Sequence, residues 1–199
     1  MVNKSSKICH NIVWFDNRIK CEIDFFEFLQ PQRKVSEHPR YKSGLFYSGK
    51  CQRDIQYESG LELDFIRQLE QLEDVKFYYE QPVRIPHRRG KKKLTYTPDF
   101  GVYLRSKEFV LVEIKDLPSM LDDRVQTRIE ALLDFCAAKG FGFLLTDGKN
   151  TIDTILKTRN NRELEKQVLS AIEDTTLRKK QCNEIMKRCN ATQNELLKI

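Results

Sequence analysis

The chain reads as a mixed α/β domain with the element order helix, three strands, helix, strand, and three observations predict it. Apolar residues recur at helical spacing over Leu61, Phe65, Leu69 and Leu72, and again over Leu121, Val125, Ile129, Leu132 and Cys136. Between these stretches, Lys76–Ile85, Tyr96–Leu104 and Phe109–Lys115 are rich in the aromatic and β-branched residues that favour strands. After the second helical stretch, Phe141–Leu145 is a short apolar run closed by Thr146-Asp147-Gly148, as a buried strand ending in a turn would be. A strand that follows a helix after an antiparallel meander can enter the sheet in parallel. The expected result is a mixed central sheet flanked by helices, αβββαβ.

Each element has its own warrant. The run Tyr57–Ile66 opens an amphipathic helix, with Glu58 and Glu62 four apart and so stacked on one side of it. His87-Arg-Arg-Gly90-Lys-Lys-Lys93 is polar and contains glycine, which predicts a hairpin loop. Arg105–Glu108 is a short polar turn between the next two strands. The second helix, Leu121–Lys139, stops at Gly140, a natural C-cap.

Upstream, Ile8–Phe15 and Ile23–Leu29 are apolar but interrupted by Pro31, Pro39 and Gly44. Strands or short helices packed beside the core are expected there, with a loop-rich stretch over Gln30–Gly49. The run Gly44–Lys50 leads toward the first helix. From about Arg162 the pattern is helical again, with Leu164, Val168, Leu169 and Ile172 as one stripe and Ile185 and Met186 beginning another. Thr192 and Glu195 have the spacing of a capping box ahead of Leu196-Leu197. These short basic helices suit either a helix-turn-helix or a helical cap on the core. The expected organisation is an N-terminal flanking segment at 1–50, a core at 51–150 and a C-terminal helical region at 151–199.

Composition sets limits on function. The 199 residues hold one good core and a small second unit, and no run of apolar residues is long enough to span a membrane. A cytoplasmic protein is expected. The six cysteines form no CxxC pair and read as free thiols in a reducing compartment. His10, His38 and His87 show no ligand spacing. The net charge of +6 is unevenly spread: residues 51–150 carry 16 Lys/Arg against 17 Asp/Glu, whereas both flanks are basic. Basic flanks around an acidic centre suit a polyanionic partner, though moderately basic proteins are common.

The chemistry-bearing pattern is Tyr96-Thr-Pro-Asp99-Phe followed by Val112-Glu113-Ile114-Lys115. Side chains alternate along a strand, so Glu113 and Lys115 share one face while Val112 and Ile114 face the core. Two acids and an amine converging on one patch are costly unless a cation fills it. Oxygen ligands of this kind suit Mg²⁺ or Mn²⁺, which keep positions open for water and phosphate. Each residue also has a plainer reading. A Pro-Asp is often a turn former, Glu-x-Lys an exposed cross-strand ion pair, and an acid at a helix start a complement to the macrodipole.

Taken in order, Glu58-Ser-Gly-Leu-Glu62, Glu80-Gln81-Pro82, Tyr96-Thr-Pro-Asp99-Phe, Leu111-Val-Glu113-Ile-Lys115 and Lys139–Asp147 resemble the PD-(D/E)xK nuclease superfamily. Within it, the stretch from about Tyr57 to Asp147 is most similar to TnsA-like endonucleases of heteromeric DNA transposons. The resemblance implies a restriction-endonuclease-like core with a small helical C-terminal extension. It implies Glu62, Asp99, Glu113 and Lys115 as catalytic residues, with Gln81 orienting. Glu62, Asp99, Glu113 and the carbonyl of Ile114 are the implied ligands of Mg²⁺, with Mn²⁺ able to substitute. The implied partners are double-stranded DNA, a transposase subunit and a transposition regulator, with a homodimer left open. The implied activity is cutting transposon 5′ ends. The same residues would equally serve a stand-alone nuclease of restriction, repair or phage DNA processing. A non-catalytic DNA-binding subunit on a degenerate nuclease fold is the third alternative.

Overall fold

A computed structural model describes residues 12–20, 43–120, 122–148, 161–174, 179–192 and 195. The chain enters through a hairpin of β1 (Gly44–Ser48) and β2 (Arg53–Tyr57), then forms helix α1 (Gly60–Gln71) and strand β3 (Val75–Glu80). A second hairpin, β4 (Ile85–Arg89) and β5 (Lys92–Tyr96), precedes β6 (Phe100–Leu104) and β7 (Phe109–Ile114). A short helix α2 (Leu117–Met120), helix α3 (Asp123–Lys139) and strand β8 (Gly142–Thr146) complete the central unit, with α4 (Arg162–Asp174) and α5 (Lys179–Arg188) following.

The central sheet has the order β3-β6-β7-β8. Its first three strands are antiparallel and β8 joins β7 in parallel, as the helix between them allows. The segment around Val13 bridges to Phe143 on the outer side of β8. This is the mixed sheet that the sequence predicts.

Both faces of the sheet are covered, which explains why β6 and β7 are buried at every residue. On one face α3 packs Val125, Ile129, Leu132 and Cys136 against Leu111, Phe109 and Phe141. On the other, α1 packs Phe65, Ile66 and Leu69 against Tyr78, Phe100 and Val112. Each such side chain contributes roughly 1.5–3 kcal/mol on burial. The α3 C-cap is Gly140 at φ 68, the left-handed conformation that glycine adopts without strain.

Several boundaries differ from expectation, each for a local reason. The strand read as Lys76–Ile85 stops at Glu80, because Gln81 turns the chain at φ 48. The stretch His87–Lys93 is mostly strand rather than loop, and the turn is confined to Gly90 and Lys91. The helix begins at Gly60, and Tyr57 ends β2 instead. Glu58 therefore lies ahead of the N-cap and does not stack on the helix with Glu62. The run Gly44–Lys50 is a strand and its turn; it pairs with β2 in register and meets α1 directly where Ser48 and Gly49 donate to Glu70. Ile66 joins the buried stripe of α1, while Leu61 at its edge is half-buried.

The two C-terminal helices pair through Leu164, Val168, Cys182, Ile185 and Met186. Leu169 is 51% exposed, because it is rotated a third of a turn off that stripe. The backbone N–H of Thr192 donates to Glu195, which closes the capping box. Leu121, Ile23–Leu29, Leu196, Leu197 and the Ile172 side chain lie outside the described residues. Cys51, Cys136, Cys182 and Cys189 are free thiols. Among the described residues no helix is long and apolar enough to cross a membrane.

The first hairpin is fastened to the core by two acids, the half-buried Glu70 and the buried Glu80. Glu70 of α1 accepts from the Ser48 hydroxyl at 2.5 Å, the Tyr78 hydroxyl at 2.7 Å and the Gly49 N–H at 3.1 Å. Glu80 of β3 takes a two-pronged contact from the Arg53 guanidinium, at 2.9 and 2.5 Å. Burial opposes the ionisation of Glu70, but its donors outweigh burial and hold its pKa below the ordinary value. A depressed carboxylate stabilises the fold above its unfolded pKa, and that contribution is lost as pH falls through the folded pKa. Glu70→Ala strands Ser48 and Tyr78, so it should cost about 2–3 kcal/mol in urea unfolding at pH 7. The variant should also show a shallower loss of stability on acidification than the parent protein.

Candidate active site

The site forms where β3, β6, β7 and the start of α1 meet. Asp99 precedes β6, and Glu113 lies near the end of β7 with Lys115 just beyond it. The register pairs Phe100 with Val112, which sets Asp99 beside the last residues of β7. The Ile114 N–H donates to Asp99 Oδ2 at 2.7 Å. Lys115 Nζ lies 2.6 Å from Glu113 Oε1, 3.4 Å from Asp99 Oδ2 and 2.9 Å from the Ile114 carbonyl oxygen. One ammonium thus reaches both carboxylates and the carbonyl. The two acids and the amine converge on one patch, as the alternation along the strand predicts.

Gln81 is tied to this centre twice. Its backbone N–H donates to the Asp99 carbonyl at 2.8 Å, and its side-chain amide donates to Glu58 at 3.0 Å. It is buried and holds a left-handed conformation that costs a non-glycine residue of order 1 kcal/mol. Pro82 then crosses directly over Gly101, where a Cβ would meet Pro82 at 3.0 Å and the Phe109 ring at 2.5 Å. Only glycine lets the chain after Gln81 lie so close to β6.

The two acids before and within α1 take different places. Glu62 folds back into its own helix start. It accepts from the Glu58 N–H at 2.8 Å and the Ser59 hydroxyl at 2.9 Å, and its N–H donates to Ser59. This is a capping box, so the plainer reading of Glu62 as a helix-start residue is also realised. Glu58 is the acid that Gln81 connects to the centre. Sequence reasoning pairs Glu58 and Glu62 but does not find the Glu58–Gln81 contact, which depends on the turn at Gln81. It also misses Arg128 of α3, whose charge favours the ionised form of Glu113. Nothing in the local sequence marks Arg128, because its nearness to β7 is set by how α3 packs.

Electrostatics follow from burial. Glu113 is 1% exposed, and burial raises its pKa despite the opposing Lys115 charge. Asp99 is raised for the same reason, against Lys115 and the Ile114 N–H. Burial alone would lower Lys115, but Asp99 and Glu113 outweigh it and hold the ammonium above its ordinary pKa. Glu62 is pushed up to about 7, first by burial and then by the Asp99 charge.

Asp99, Glu113 and the Ile114 carbonyl are oxygen donors of the kind that suit a divalent cation. Glu113 Oε2 is buried without a hydrogen-bond partner, an orphaned acceptor beside Asp99 and the Ile114 carbonyl. Among the described residues no three His, Cys, Asp or Glu side chains form a metal-holding group. Mg²⁺ commonly binds through one or two carboxylates, with water and phosphate completing its shell.

The raised Glu62 pKa gives a stability signature in the metal-free protein. A carboxylate raised on folding stabilises the native state below its unfolded pKa, and that stabilisation is lost as pH rises through the folded value near 7. Glutamine also completes a capping box, so Glu62→Gln should keep the helix start. In EDTA, the variant should gain roughly 1–3 kcal/mol relative to the parent between pH 5 and 8 by urea titration. An unchanged difference across that range would show that Glu62 titrates normally.

With the geometry in place, the comparisons with known proteins become informative. No curated protein matches the sequence. Residues 72–148 match a family described as TnsA-like endonuclease N terminal, a span of less than half the chain. Gln81, Asp99, Glu113 and Lys115 all fall inside the matched residues, whereas Glu58 and Glu62 precede them. Residues 72–148 are thus similar to the TnsA-like endonuclease N-terminal family, the resemblance that the ordered motifs of the sequence also carry.

Proposed function

We propose that the protein is a divalent-metal-dependent DNA endonuclease that cuts transposon 5′ ends in the cytoplasm together with a transposase subunit and a transposition regulator. The observation that carries the nuclease reading is the convergence of Asp99, Glu113 and Lys115 at one point, inside the residues matched to the endonuclease family. The match also supports the choice of a transposon-type enzyme over a stand-alone one.

Asp99, the orphaned Glu113 Oε2 and the Ile114 carbonyl would hold Mg²⁺, with Glu62 or Glu58 near enough electrostatically to contribute. When bound, such an ion supplies Lewis-acid polarisation of the phosphate and a more acidic water. The chain's own residues do the rest. Asp99 is fixed by the Ile114 N–H, so its second oxygen keeps a set direction. Lys115, held as an ammonium, orients the attacking water and stabilises negative charge on the phosphate. Asp99 and Glu113 hold it as an ammonium in the metal-free protein, and a bound cation would oppose them. Gln81 positions Glu58 and the Asp99 backbone. It acts through them rather than on the substrate.

The test is cleavage of duplex DNA by the purified full chain with Mg²⁺, alone and with a transposase encoded beside it. Asp99→Asn keeps an acceptor for the Ile114 N–H while removing the charge. It should lower cleavage by at least roughly 100-fold with the urea midpoint unchanged. Cleavage at the parental rate by this variant would remove the nuclease assignment. Efficient cutting by the chain alone would instead favour the stand-alone reading.

A further inference from the structure

The β4–β5 hairpin is a cationic ribbon that the catalytic centre does not use. Residues 84–95 contain Arg84, Arg88, Arg89, Lys91, Lys92 and Lys93 and no carboxylate. Lys92, Lys93, Leu94 and Thr95 are all exposed, so the outer part of β5 is uncovered on both of its faces. The register sets Arg88 directly opposite Lys93. Like charges facing each other across an antiparallel pair destabilise it. Neither they nor Lys91 and Lys92 belong to an ion pair among the described residues. A two-stranded ribbon is marginal in water on its own; here β4 packs on α3, where Glu130 and Asp134 share a cavity with Arg88, while the exposed lysines of β5 have no such cover.

The root of the ribbon joins it to the candidate site. β4 begins four residues after Gln81 and β5 ends three residues before Asp99. The two ends are tied together by the Gln81 N–H donating to the Asp99 carbonyl at 2.8 Å. The base is anchored further by Ile85 and Tyr96, both buried in the core under α3. Arg128 of α3 lies over the Tyr96 ring, 5.4 Å from its centre. A strand rises about 3.3 Å per residue, so Arg88 and Lys93 stand on the order of 10 Å out from that anchored base. The ribbon is rigidly joined to the residues around the reacting phosphate and carries its positive charge outward from them.

We infer that the exposed end of the β4–β5 hairpin, with Arg88, Lys92 and Lys93, binds the phosphate backbone of duplex DNA next to the cut site and fixes its register over Asp99 and Glu113. The choice of DNA rests on the nuclease reading. The binding role itself rests on charge complementarity: Lys92 and Lys93 are exposed on β5 with no ion pair among the described residues, while Arg88 shares a cavity with Glu130 and Asp134 of α3. Arg88, Lys92 and Lys93 are positioning residues, since none of them reaches Asp99 or Glu113.

The test separates binding from chemistry. A labelled duplex of about 30 base pairs is titrated with the full chain in Ca²⁺ over a series of NaCl concentrations, and cleavage is measured separately in Mg²⁺. Lys93→Glu converts the repelling pair with Arg88 into an attractive one, so its melting temperature should be equal to or above the parent's. Its duplex affinity should nevertheless fall about tenfold, and the slope of log affinity against log salt should shrink by about 1. Lys93→Arg should bind as the parent does. If Lys93→Glu and Arg88→Ala both bind duplex with parental affinity and salt slope, the inference is overturned, whether or not the protein cuts DNA. If the chain never cuts DNA but the slope changes as stated, the hairpin's role stands and the nuclease reading is what fails.

Discussion

A glutamate on the innermost part of a sheet is an expensive residue, and the arrangement around Glu113 follows from that expense. The strand that carries it is covered on both faces, so its carboxylate cannot be relieved by bulk water. Lys115, two residues along on the same side, is the nearest means of balancing it. The same ammonium then draws in Asp99, whose backbone is held by Gln81 and whose side chain is held by Ile114. Removing the cation would leave a buried charge uncompensated, a far larger penalty than losing an exposed ion pair. One electrostatic requirement thus organises the ends of three strands.

The pieces around that centre serve it at different distances. The first hairpin reaches the sheet through Arg53 and Glu80, one residue before the Gln81 turn. Arg53 also lies over the Tyr79 ring, 4.9 Å from its centre, so one side chain holds the two residues ahead of the turn. Gly101 lets Pro82 press against β6 immediately afterwards. A strained conformation persists only where its surroundings over-determine it, and Gln81 is enclosed from both directions.

The sequence made much of this legible, and unevenly so. Long periodic stretches such as Val125–Cys136 and the alternation through Glu113 and Lys115 carry their structural meaning locally, and those elements lie where the pattern puts them. Glu58 does not. Its relation to Gln81 spans twenty-three positions and exists only because the chain turns at a non-glycine residue, which no propensity scale announces. The hairpin at Ile85–Tyr96 was obscured for another reason. Its run of like charges looks like loop composition, yet cross-strand hydrogen bonds and the buried Ile85 and Tyr96 carry it as strand. Arg128 depends wholly on helix packing and leaves no mark in the order of residues.

Glu62 is engaged on two fronts at once. Its oxygens hold the Glu58 N–H and the Ser59 hydroxyl, and its charge is felt by Asp99. A carboxylate has about four lone-pair sites, so an ion that recruited Glu62 would share its oxygens with the donors that start α1. Amide exchange at Glu58 and Glu62 would report the loading of a site some way from either backbone.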